Sequence, residues 1–109
     1  MDNFLDTKIA ELVNVSEKPF QQIILRIECP LDSGIKVECW RIANGKKHSQ
    51  AIPGGVRLFF QYVERIHKEQ PSKKFNVVEI KIENTGKYTT AISFDEMVQR
   101  QAEDNIKQG

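Results

Sequence analysis

A chain of 109 residues is of ordinary size for a single domain, residues 1–109, with one hydrophobic core. Hydrophobic residues at 39% and charged residues at 28% describe a soluble globular protein, and a net charge of +1 excludes any overall pull toward nucleic acid or an anionic membrane. The charge is uneven: residues 46–87 carry nine Lys/Arg against four Asp/Glu, residues 1–45 five against seven, and residues 88–109 two against four.

The opening "MDNFLDTKIAEL" is acidic and interrupted, unlike the continuous apolar core of a secretory signal. No stretch approaches the ~18 apolar residues of a membrane span. With only two cysteines and no secretory signal, the expected location is a reducing cytoplasm. Within the first segment, Leu5, Ile9, Leu12 and Val13 recur at helical spacing, and Pro19 limits how far that helix can run.

Two strand-like runs follow in "QQIILRIECPLDSGIKVECWRI", with a turn around Pro30, Asp32 and Gly34. A turn centred on Asp32 pairs Cys29 with Ile35, Ile27 with Val37 and Leu25 with Cys39 on one face. On the other it pairs Glu28 with Lys36, Arg26 with Glu38 and Ile24 with Trp40, two of them opposite-charge pairs worth up to ~1 kcal/mol each. In this register Cys29 and Cys39 lie about four residues apart along the ladder, roughly 13 Å at ~3.3 Å per residue. A disulfide needs Cα atoms within about 7 Å, so both are expected as reduced core thiols.

"ANGKKHSQAIPGG" reads as a loop holding the basic cluster Lys46, Lys47 and His48. A second helix begins at about Pro53 or Gly54, buries Val56, Phe59, Phe60, Val63 and Ile66, and stops before Pro71. The segment "NVVEIKIENTGKYTTAISFDE" is the clearest in the chain: two alternating runs around the three-residue turn Asn84-Thr85-Gly86. Its register pairs Ile82 with Tyr88, Ile80 with Thr90, Val78 with Ile92 and Asn76 with Phe94, with Glu83, Lys81 and Glu79 on the wet face. A last helix starts near Asp95, with Met97, Val98 and Ala102 apolar. The expected fold is α+β, order α-β-β-α-β-β-α: a four-stranded antiparallel sheet of two hairpins with helices packed on one face.

Catalytic chemistry finds no support in the spacing. The only histidines, His48 and His67, lie in a loop and late in a helix, with no pattern that asks for pairing with either cysteine. No close-spaced Cys/His set suggests a metal, and "IPGGVRLFF" lacks the Lys-Ser/Thr ending of a phosphate cradle. Asp95 and Glu96 are explained by a helix N-terminus. The expectation is no enzyme, no cofactor, no metal and no small-molecule substrate. A basic stripe of Lys46, Lys47, Arg57, Arg65, Lys68, Lys73 and Lys74 supports an alternative, a small nucleic-acid-binding or regulatory module. Few stacking aromatics accompany it, and Glu64 and Glu69 interrupt it, so nucleic acid is not the expected partner. Ile24, Trp40 and Ile42 share one side of the first hairpin; they form either a partner-docking anchor or a patch covered by a terminal helix or a second copy.

The stretch "TGKYTTAISFDE", Thr85 to Glu96, resembles small bacterial immunity proteins of the YezG-like group and of contact-dependent growth inhibition systems. "KPFQQIILRIE" and "VRLFFQYVERI" add looser likeness. The chain departs from the pattern in having Phe75-Asn76 where a Trp is usual, and Phe94-Asp95 in place of Tyr-Asp. The resemblance implies a cytoplasmic, non-catalytic antitoxin that binds a cognate toxin, commonly a nuclease, and blocks its active site or substrate groove. Because such grooves are basic, Glu28, Asp32, Glu38, Glu79, Glu83 and Asp95 are the acidic candidates for that contact, with Trp40 and Ile24 as apolar anchors.

Overall fold

Alternating apolar residues generate the four expected strands, and a fifth joins them. The computed structural model describes residues 3–30, 34–52, 54 and 57–108. The elements are α1 (Asn3–Val15), β1 (Gln22–Glu28), β2 (Lys36–Ala43), β3 (Lys46–Ser49), α2 (Arg57–Glu69), β4 (Val77–Glu83), β5 (Tyr88–Ser93) and α3 (Glu96–Gln108). All neighbours are antiparallel, in the order β3-β2-β1-β4-β5.

The four-stranded sheet and the order α-β-β-α-β-β-α are therefore corrected to five strands and α-β-β-β-α-β-β-α. The missed strand is the supposed loop Lys46–Ser49. Asn44 and Gly45 take φ of 53° and 73°, a two-residue turn with both central residues left-handed, which folds β3 directly back on β2. Its residues are all exposed and none is apolar, so periodicity gives no sign of it.

Both hairpin registers agree with the sequence. Leu25 faces Cys39, Ile27 faces Val37 and Ile24 faces Trp40; Ile82 faces Tyr88, Ile80 faces Thr90 and Val78 faces Ile92. The charged pairs differ in detail. Arg26 lies opposite Glu38 and Glu28 opposite Lys36, yet the ion pairs run along the strands, Arg26–Glu28 at 3.2 Å and Lys36–Glu38 at 3.3 Å. Arg26 also reaches Asp95 at 3.8 Å, so two carboxylates draw its guanidinium toward one end of β1.

One sheet face is dry. Ile23, Leu25, Ile27, Cys39, Val78, Ile80 and Ile82 are buried there in one cluster with Leu5, Ile9 and Leu12 of α1 and Phe59, Tyr62, Val63 and Ile66 of α2. Each fully buried Leu, Ile or Val contributes about 1.5–3 kcal/mol, and this cluster is what fixes the register. Phe60, expected on the apolar stripe of α2, is 45% exposed, and Tyr62 takes the buried position. Of the apolar residues of α3, Met97 is exposed and Val98 is buried. Pro53 and Val56 fall outside the described residues.

α1 and α2 meet the expectation of helices on one face. The start of α3 is tied to the opposite side, because Asp95 pairs with Arg26, whose register puts it on the outer face. Val77 shares that outer side and is only 3% exposed. Both amide ends of fully buried Asn76 hold this junction: Nδ2 donates to Asp95 C=O at 2.8 Å, and Asp95 N–H donates to Oδ1 at 2.7 Å. Asp95 then caps α3 by accepting from Met97 N–H at 2.9 Å.

Candidate protein-binding face

Pairing of β1 with β4 merges the two hairpins into one surface. Residues directly opposite in an antiparallel ladder share a face, so the outer face can be read as rows across the strands. One row runs Lys47, Ile42, Gln22, Glu83; the next Ser49, Trp40, Ile24, Lys81, Thr89; the third Glu38, Arg26, Glu79, Ala91; the last Lys36, Glu28, Val77, Ser93. Six expected partner-binding residues, Ile24, Glu28, Glu38, Trp40, Glu79 and Glu83, thus stand on one continuous face. Asp95 lies at its margin beside Arg26. Asp32 falls outside the described residues.

Trp40 belongs to this face and is absent from the core cluster. It is half-buried, packed beside half-buried Ile24 and Ile42, and Lys47 Nζ stands 3.9 Å from its ring centroid. A cation over an indole stabilises the pair by about 0.5–1 kcal/mol at an exposed site and holds the ring in place. A depression of about 320 Å³ opens beside it where β3 ends, lined by Val37, Glu38, Cys39, Trp40, Ser49, Gln50 and Ile52.

The charges around this apolar strip are mixed. Glu28 pairs with Arg26, Glu38 with Lys36, and Glu79 with Lys81 at 3.7 Å. Against the carboxylates Glu28, Glu38, Glu79 and Glu83 stand the cations Arg26, Lys36, Lys47 and Lys81, so the face is balanced rather than acidic. Surface pairs of this kind contribute little to stability, about 0–1 kcal/mol each, but fix a pattern of sign that a partner must match.

Arg26, Lys47 and Lys81 were not among the expected partner-binding residues, although the two hairpin registers already put Arg26 on the side of Trp40 and Lys81 on the wet face. Lys47 was legible in principle: a two-residue Asn-Gly hairpin places it opposite Ile42 and next to Trp40. For Arg26 and Lys81, the β1–β4 pairing, which nothing in either hairpin specifies, adds their juxtaposition: Lys81 comes to lie opposite Ile24, and Arg26 opposite Glu79. The supposed basic stripe is divided. Lys47 lies on the outer face, whereas Arg65 and Lys73 border a depression between α2 and β5 on the inner side, together with Glu69.

The thiols are chemically quiet. Both cysteines are free and buried, and burial pushes Cys39 up to about 12 and Cys29 up to about 11. His48 is exposed on β3, and His67 stacks on Phe75 with centroids 4.4 Å apart. Among the described residues no three His, Cys, Asp or Glu side chains gather as a metal site. A larger open trough, about 800 Å³, runs between α1 and the β4–β5 turn, away from the outer face; Tyr88 donates to Asp6 in its wall. Among the described residues no helix is long and apolar enough to cross a membrane. A scan against protein-family models finds no match, and neither does a search of curated proteins.

Proposed function

We propose that this chain is an immunity protein that binds and neutralises a cognate protein toxin through the outer face of its sheet. The observation that carries the reading is the gathering of Trp40, Ile24 and Ile42 into a half-buried strip, ringed by alternating charges, on the outer face of the sheet. An aromatic anchor with a polar rim on a sheet face suits protein partners, whereas small molecules are held in concave pockets. The likeness of Thr85–Glu96 to bacterial immunity proteins makes the partner a toxin, with a nuclease domain as the first candidate.

The balanced charge of the face changes how such an inhibitor would work. Acidic mimicry of nucleic acid gives way to an apolar anchor whose surrounding Glu and Lys residues meet complementary charges on the toxin. Stoichiometric binding over the substrate groove then blocks access without any chemistry by the inhibitor. Co-purification from the native cell, joined to a protection assay against the toxin encoded beside the gene, tests this. The expected result is a single bound toxin and survival of cells that express the chain. Failure to protect, with no toxin bound, removes the reading.

A further inference from the structure

The two free edges of the sheet are unlike. β3 carries Lys46, Lys47 and His48 within four residues, and edge lysines are a common barrier to strand addition. β5, with sequence YTTAIS, has neither a charge nor a proline, and Thr89, Thr90, Ala91 and Ser93 are exposed.

Hydrogen-bond directions show what that edge offers. Glu83 N–H donates to Lys87 C=O at 2.8 Å, which makes these two a hydrogen-bonded pair. Alternation then turns the backbone groups of Thr89, Ala91 and Ser93 toward β4, and those of Tyr88, Thr90 and Ile92 outward. At the other end of the strand Ser93 C=O accepts from Asn76 N–H at 3.0 Å, which likewise turns Ser93 toward the β4 side.

We propose that β5 pairs with β5 of a second copy of this chain, antiparallel about a two-fold axis at Ala91, to form a continuous ten-stranded sheet. A register centred on a residue keeps the core sides of both copies on the same side of the joined sheet. Centring on Ala91 opposes Thr90 to Ile92 and Tyr88 to Phe94 as hydrogen-bonded pairs, and Thr89 to Ser93 between them. It also brings Lys87 of each copy beside Asp95 of the other. Aromatic meets aromatic, cation meets carboxylate, and each occurs twice by symmetry. Ala91 meets itself in a non-hydrogen-bonded pair, where Cα atoms come within about 4.5 Å and a small side chain fits best. Centring on Thr90 instead opposes Lys87 to Ser93 and brings no cation to Asp95. The dimer goes beyond the toxin-binding reading and does not depend on it; it would set two outer faces side by side.

Sedimentation equilibrium of the full chain over a wide concentration range tests the pairing. Dimerisation is expected, and Ala91→Lys, which sets two lysines across the axis while leaving the β4–β5 hydrogen bonds intact, should raise the dissociation constant at least about tenfold. Oxidation of Ala91→Cys should give a covalent dimer, because the facing Cα atoms fall within disulfide range. Ser93→Cys, which faces Thr89, should not, and buried Cys29 and Cys39 do not compete. Three results overturn the proposal: a wild-type monomer at every concentration, a dissociation constant unmoved by Ala91→Lys, or cross-linking through Ser93→Cys but not Ala91→Cys.

Discussion

Trp40 carries the functional reading, and its setting separates folding from binding. It lies outside the core cluster, so Trp40→Ala should leave the fold intact and cost less than about 2 kcal/mol in urea unfolding. Leu25→Ala, at a fully buried core position, should cost about 2–5 kcal/mol. Equal losses for the two would place Trp40 among the core residues. The cysteines make a second prediction at this scale. Unfolded, both thiols ionise near ~8.5; folded, burial raises Cys29 to about 11 and Cys39 to about 12. The stability gained by burying them neutral is complete below about 8.5 and is lost as pH rises through those folded values. Urea midpoints measured from pH 8 to 12 should therefore fall, and fall less steeply in a Cys29→Ala/Cys39→Ala variant.

At the scale of elements, junctions decide what the strands can present. Asn76→Ala removes both hydrogen bonds to the Asp95 backbone and leaves two polar groups without these partners; it should cost about 2–4 kcal/mol in denaturant unfolding, an unusually large loss for an Asn. Gly45→Ala tests the β2–β3 turn. Nothing lies within 4 Å of the added methyl, so the φ of +73° alone should cost about 1–2 kcal/mol. Loosening of β3 should also release Lys47 from Trp40 and shift the indole fluorescence. These elements were unequally legible in the sequence. The two long hairpins declared themselves because alternation of apolar residues fixes register wherever one face is buried. β3 did not, since its four residues are solvated on both sides and only the Asn-Gly turn marks it. Phe60 was misread because one turn of a helix offers more apolar residues than its packing stripe can bury.

At the scale of the whole molecule, sequence alone named six residues of the candidate face but not that they formed one. Ile24, Glu38 and Trp40 were linked by the first hairpin, and Glu79 and Glu83 by the second. Only the long-range contact of β1 with β4 joins them, and the apolar inner residues of both strands would satisfy several pairings. The same contact sets Lys81 opposite Ile24 and Arg26 opposite Glu79, so that an apparently acidic site becomes a charge-balanced one. This joined face is the one we propose binds a protein toxin. Calorimetric titration of the co-purified toxin domain with wild-type chain and with Trp40→Ala tests it most directly. Tight one-to-one binding, weakened by 1–2 kcal/mol or more (about tenfold or more) in a variant of unchanged fold, is the expected result. Undiminished binding by Trp40→Ala, and by Trp40→Ala combined with Ile24→Ala, would contradict it.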